Sequence, residues 1–218
     1  MKFQQVMAFF LTGATALSMS TTALAADLSD NADTTVSNTQ TADAQEDDLT
    51  AGDKALTDAP ASRSAAADAI YSSVNRIDPE LTAAFAGMAV KETPDYDQIP
   101  EAQRAGMAFC FEAGIMTGDS QHHLRPNDAI TRQEFAAVLR RCVGVLEKAG
   151  KITIPTDTDE NTAFTDASAI AGWAKDAAAF CQTAKLMSGD SQGAFNPKEP
   201  MKTAELAQVL DNLSKVIK

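Results

Sequence analysis

Shifted by 71 residues, the second half of this 218-residue chain overlays the first without a gap. Ala108-Phe109-Cys110 falls on Ala179-Phe180-Cys181, and Gly118-Asp119-Ser120-Gln121 falls on Gly189-Asp190-Ser191-Gln192. Pro126 falls on Pro197, Glu134 on Glu205, and Val138-Leu139 on Val209-Leu210. Roughly a third of about 50 aligned positions are identical, far beyond chance for an ungapped overlay. Two copies of one supersecondary unit are therefore present, at 93–148 and 164–218, joined by a linker at 149–163.

Each unit reads helix, loop, helix. In the first, Pro100 opens a helix with apolar positions at Ala105, Met107, Ala108, Phe111 and Ile115. Gly114 and Gly118 mark its end and the turn beyond. After Pro126, Thr131 and Glu134 have the spacing of a capping box, in which each satisfies a free backbone N–H. Ile130 precedes the cap and can staple onto Phe135, which opens a buried stripe through Val138, Leu139, Cys142, Val145 and Leu146. The second unit repeats this with Phe180, Leu186, Phe195, Leu206, Val209, Leu210 and Leu213. Aromatics are only 6% of the chain, so small and aliphatic side chains must fill the core. The expected fold is all-α, a small helical bundle of helix-loop-helix repeats preceded by a disordered segment.

Upstream, residues 63–92 read as a helical pair, a degenerate repeat at most. Ala67, Ile70, Tyr71, Val74 and Ile77 have helical spacing. Asp78-Pro79-Glu80 then starts a helix carrying Leu81, Ala84, Phe85 and Met88. Residues 26–62 hold nine acidic residues against Lys54 alone and almost no branched aliphatics. Such a segment cannot bury enough surface to offset its ordering entropy, and it reads as a disordered acidic linker. Residues 1–25 read as a signal peptide: Lys2, an apolar run from Val6 to Met19, and Ala23-Leu24-Ala25 as a small-x-small cleavage site. Cleavage there leaves no stable membrane insertion, because no later stretch reaches transmembrane length.

The formal net charge of −12 argues against nucleic-acid binding, which needs a basic face to displace phosphate counterions. Most of that charge lies in residues 26–62, so the folded part can still carry a local cationic site. The three cysteines Cys110, Cys142 and Cys181 sit in apolar helical patterns and read as buried free thiols. Were a bridge to form, Cys110 and Cys142 would be the pair. No metal and no cofactor is expected. His122 and His123 are adjacent and rarely converge on one ion. Asp157-x-Asp159-x-Asn161 lacks the glycine and the bidentate glutamate of a calcium loop. No catalytic triad or phosphate loop can be assembled, and nothing singles out two of the many carboxylates as a glycosidase pair, so no enzyme activity is expected.

The motif order resembles the S-layer homology (SLH) family. The second unit carries Phe164-Thr165-Asp166, Trp173-Ala174, Leu186-Met187-Ser188-Gly189, Phe195-Asn196-Pro197 and Glu205. The first carries Gly114-Ile115-Met116-Thr117-Gly118, Leu124-Arg125-Pro126 and Ile130-Thr131-Arg132-Gln133-Glu134. The resemblance implies an exported protein held non-covalently at the bacterial cell wall or surface layer. The implied partner is a secondary cell-wall polysaccharide, often bearing a pyruvylated sugar, or peptidoglycan. A ketal pyruvate is a carboxylate, and a helix N-terminus with Arg132 in its first turn suits an anion. Implied glycan-binding residues are Thr131, Arg132, Gly118 and Asp119 in the first unit, and Gly189, Lys202 and Thr203 in the second. Thr203 stands where the family has arginine, and Lys202 where it has the capping threonine.

The family usually works as three repeats. The 63–92 helices could fill the third place, or two chains could combine as a homo-oligomer or with another SLH-type chain. The alternative function is structural pairing with such chains without glycan binding. Read as structure alone, Thr131 and Glu134 are a cap and Trp173 is core. Arg132 alone then has no structural job, and its replacement by alanine should leave stability nearly intact.

Overall fold

The computed structural model describes residues 58–153 and 164–216, apart from residues 86 and 88. The signal peptide read in 1–25, most of the acidic linker and most of the 149–163 linker lie outside the described residues. Six α-helices are described: α1 (Arg63–Ile77), α2 (Pro79–Ala83), α3 (Arg104–Glu112), α4 (Arg132–Lys148), α5 (Lys175–Thr183) and α6 (Thr203–Lys215). Short 3-10 turns lead into α3 and α5. No β-strand occurs among the described residues, and the all-α expectation holds.

Local chemistry sets the helix ends. At α4 the capping box forms as its spacing predicts. The Thr131 N–H donates to the Glu134 carboxylate at 2.9 Å, and the Glu134 N–H donates to the Thr131 hydroxyl at 3.4 Å. Ile130 and Phe135 are fully buried beside it. At α2 the Asp78 carboxylate accepts the Glu80 and Leu81 N–H groups, each at 3.1 Å. That helix is only five residues long and stops at Ala83, well short of the predicted Met88. The chain turns instead at Gly87, with φ of +71°, and the Glu112 carboxylate accepts the Gly87 and Ala89 N–H groups. At α1 the Ser62 hydroxyl caps by accepting the Ala65 N–H at 3.1 Å. The fold thus takes in the last residues of the segment read as linker: Ala61 is buried and Ser62 is a cap.

Three chain segments meet around a pseudo-threefold axis. The Ala61 N–H donates to the Met201 carbonyl at 2.8 Å, Met201 to Ile130 at 2.8 Å, and Ile130 to Ala61 at 3.0 Å, closing a ring. Each segment leads directly into a long helix: α1, α4 and α6. The next contacts repeat the same pattern. Arg63 N–H donates to Asp128 O, Arg132 N–H to Glu199 O, and Thr203 N–H to Ala59 O, each at 2.9 Å. Ala61-Ser62-Arg63 therefore plays the part of Ile130-Thr131-Arg132, and α1 takes the first of three equivalent places.

The first helix of each repeat packs on the long helix that precedes it: α3 on α1, and α5 on α4. Backbones come very close at Gly106 of α3, where an added Cβ would lie 2.4 Å from the Asp68 Cα. The thiols of Cys110 and Cys181 face the Ala67 and Ala136 carbonyls at these two contacts. No described helix covers α6 in the same way, and Ala207, the counterpart of Ala67 and Ala136, is exposed. Cys110, Cys142 and Cys181 are free and buried. Burial pushes the Cys142 and Cys181 thiols up to about 12, and the Cys110 thiol well above its ordinary value.

Candidate functional site: two loop-helix grooves

The loop of each repeat is held by a carboxylate from the start of that repeat. Asp95 accepts the Leu124 N–H at 3.0 Å and the Arg125 N–H at 2.7 Å. Asp166, the acid of the Phe-x-Asp motif, accepts the Phe195 N–H at 2.7 Å and the Asn196 N–H at 2.8 Å. Both second residues are left-handed, Arg125 at φ of +52° and Asn196 at +56°. A second acid closes each loop tip. Asp119 accepts the Gln121 and His123 N–H groups, and Asp190 accepts those of Gln192 and Ala194. These bonds hold the Asp119 pKa below the ordinary carboxylate range; for Asp190 the Asn196 side chain adds the largest part. Gly118 is needed by the loop itself, because a Cβ there would sit 2.9 Å from the His122 carbonyl carbon. Gly189 is likewise crowded by Gly193 and the Ala194 carbonyl.

An arginine from the preceding long helix locks each loop from below. Arg63 is 6% exposed and donates through Nε to the Leu124 carbonyl at 2.8 Å and through Nη2 to the Thr117 carbonyl at 3.3 Å. Arg132 donates to the matching carbonyls of the second repeat, Phe195 at 2.7 Å and Ser188 at 2.9 Å. It also pairs with Glu205 at 3.2 Å and lies over the Phe195 ring, 5.2 Å from its centroid. Its side chain is only 11% exposed. Arg132 thus has a structural job, contrary to the sequence expectation, and Arg132→Ala would disturb the fold as well as any ligand contact.

Two grooves result. The first lies between the Thr117-Gly118-Asp119 loop and α4, with Arg63 beneath it and Arg125, Glu134 and Arg141 along its sides. Trp173 closes one wall. The second lies between the Ser188-Gly189-Asp190 loop and α6, over Arg132, and encloses about 550 Å³ against about 170 Å³ for the first. The sequence places Arg132 with Gly118 and Asp119. The structure divides them: Gly118 and Asp119 face Arg63, while Arg132 stands under Gly189. Thr131, Lys202 and Thr203 line neither groove. Thr131 is occupied as a cap, the Thr203 hydroxyl donates to the Ala59 carbonyl at 3.1 Å, and Lys202 pairs with Asp58 at 3.4 Å.

Arg63, Arg125, Arg141 and Trp173 are the groove residues that sequence reasoning missed. Arg63 could have been found by aligning Ala61-Ser62-Arg63 on Ile130-Thr131-Arg132, a shift of 69 and not 71. Trp173 is not core but 60% exposed. The Gly172–Ala174 turn sends Ala174 inward and Trp173 outward.

Burial opposes ionisation of Glu134, yet hydrogen bonds from the Thr131 N–H and hydroxyl, with Arg63 and Arg125 nearby, outweigh it and lower the pKa. Asp78 is lowered as well, first by its bond to Lys151. Groups with folded pKa values below their unfolded ones stabilise the fold above the unfolded pKa and lose that contribution as pH falls through the folded one. Asp68, raised by burial, works in the opposite direction and is outnumbered. Melting temperature should therefore be flat from neutrality to about pH 5 and fall below about pH 4. Thermal denaturation followed by circular dichroism across that range checks this.

Curated relatives share part of this chain. An endoglucanase of Bacillus sp. (strain KSM-635) is 33% identical over 103 residues, 47% of this chain and 10% of the enzyme. Exoglucanase XynX of Acetivibrio thermocellus is 31% identical over 103 residues, 47% of this chain and 9% of the enzyme. An amylopullulanase of Thermoanaerobacterium thermosulfurigenes is 31% identical over 103 residues, 47% of this chain and 5% of that protein. The chain thus spans a tenth or less of these relatives' length. The family model described as S-layer homology domain matches residues 93–136 and 163–207. Each match spans one Asp-clamped loop and the start of the helix beyond it, so two stretches of this chain match the S-layer homology domain.

Proposed function

We propose that this chain holds an exported protein non-covalently at the bacterial cell wall, by seating secondary cell-wall polysaccharide in its two loop-helix grooves. The observation that carries this reading is the first groove. It combines an exposed tryptophan, a flat apolar surface that a pyranose ring can stack on, with two exposed arginines, Arg125 and Arg141, able to meet hydroxyl or carboxylate oxygens. The Asp-clamped loop holds that surface open in advance, so little ordering entropy is lost on binding. The chain acts as a binding module and not as an enzyme. Co-sedimentation with purified sacculi tests the reading, and the chain is expected in the pellet.

The bare face of α6 favours a second reading, in which another SLH-type chain or a second copy covers the third place. Ala204, Ala207, Asp211 and Ser214 are all exposed there, a small and polar surface with little apolar area to drive association. Sedimentation velocity over a hundredfold concentration range separates the two readings. Glycan anchoring alone predicts one concentration-independent species.

A further inference from the structure

Resting on the wall-glycan reading, we propose that the two grooves have different ligand preferences. The first selects a glycan residue carrying an anionic group, and Arg125 and Arg141 set that selectivity. The second takes an uncharged stretch.

The pseudo-equivalent positions differ in charge. Where the first groove has Arg125 and Arg141, the second has Asn196 and Asn212. Its own cations are Arg132, tied to two carbonyls and Glu205, and Lys185. Against these stand Asp190, Glu199 and Glu205, so carboxylates outnumber cations. In the first groove Arg63, Arg125 and Arg141 outnumber Asp119 and Glu134. The two extra arginines make the first groove more favourable to an anion than the second.

Backbone conformation supplies a second, independent observation. The residue after Leu124 and Phe195 is left-handed, and its own N–H and that of the residue before it both run to the clamping aspartate. Asparagine tolerates that conformation well and stands there in the second repeat. Arginine does not, and strain of this kind concentrates where a side chain is needed for function. Arg125 reaches Asp128 at 3.7 Å and Glu134 at 3.4 Å, exposed pairs too weak to explain the choice of residue. Arg141 is exposed and makes a long bond, 3.4 Å to the Ile115 carbonyl.

Trp173 is the only tryptophan and lines the first groove, so its fluorescence reports that groove alone. The probes are methyl hexopyranosides that carry a carboxylate, as a uronic acid or as a 4,6-pyruvate ketal, and their neutral parent. The anionic probes should shift Trp173 emission with affinity about tenfold above the neutral one, as charge-assisted bonds predict. Arg125→Asn and Arg141→Asn should each erase most of that preference. Arg125→Asn should do so with unchanged or slightly higher melting temperature, a combination that a purely structural arginine would not show. Asn196→Arg with Asn212→Arg should leave the Trp173 response intact and add a second equivalent of anionic probe by calorimetry. Absence of a Trp173 response, a preference untouched by either Arg→Asn change, or two equal anion sites in the unaltered chain would each overturn the proposal. Sacculus binding is read in parallel. If it persists while the preference is absent, this inference fails alone; if it is lost as well, the wall-attachment reading fails with it.

Discussion

Arg63→Ala is expected to destabilise the fold by about 3 kcal/mol, because two charge-assisted hydrogen bonds disappear and a buried carbonyl loses its donor. The affected carbonyls are those of Leu124 and Thr117, which frame the first groove on either side of the loop tip. Burial works against the Arg63 charge and Glu134 works for it, so the buried guanidinium relies on its carbonyl acceptors and that carboxylate for compensation. For a domain of this size the loss lowers the melting temperature by roughly 10 °C. Arg63→Lys should rescue little, since one ammonium on a flexible stem cannot bridge both carbonyls as a planar fork does. Chemical denaturation of the two variants checks both statements. A loss below about 1 kcal/mol for Arg63→Ala, the level of an ordinary exposed pair, would contradict the locking role.

Gly106→Ala is expected to have an effect of similar size for a different reason. Its Cβ would lie 2.4 Å from the Asp68 Cα and 2.8 Å from the Asp68 nitrogen, both backbone atoms of α1. Neither can rotate away, so α3 and α1 must separate along a contact that carries Ala66, Ala67, Ile70, Met107 and Cys110, all but fully buried. Overpacking costs of up to about 3 kcal/mol outweigh the gain of about 1 kcal/mol from a better helix former. The second repeat has Ala177 at the corresponding place, so α5 already leaves room for a Cβ against α4. Ala177→Gly should therefore lose only about 1 kcal/mol, through helix propensity. Equal and small losses at the two positions would mean that the α1–α3 contact is looser than its geometry indicates.

Much of the fold was legible because it is written in local pattern. The shift that superposes Cys110 on Cys181 defines both helix-loop-helix units, and Ile130, Thr131, Glu134 and Phe135 specify a helix start by chemistry acting within one turn. The docking of those units was not legible. The arginine that locks a loop lies more than 50 residues before it: Arg63 meets Thr117 and Leu124, and Arg132 meets Ser188 and Phe195. A repeat period states what the units are but not which unit receives which side chain. Cyclic packing hands each arginine to the next repeat, so the sequence reading put Arg132 in the wrong groove. Arg63 escaped notice because Ser62 has no glutamate three residues on, only Ala65, and the signature therefore looks incomplete. Trp173 was read inward because large apolar residues usually are; its exposure follows from a three-residue turn that hydrophobic periodicity cannot describe.

Wall attachment through a bound polysaccharide is tested most directly by co-sedimenting the chain with sacculi before and after chemical removal of the secondary polymer. The Arg141→Asn, Trp173→Ala double variant runs alongside as the groove control. Both changes fall on exposed side chains, so the variant should remain folded, as its circular dichroism will show. Polysaccharide anchoring predicts that the unaltered chain pellets with intact sacculi and stays in solution with stripped ones, and that the double variant loses most of its binding. Equal sedimentation of both chains with both kinds of sacculi would contradict it, and so would failure of the unaltered chain to bind intact wall at all.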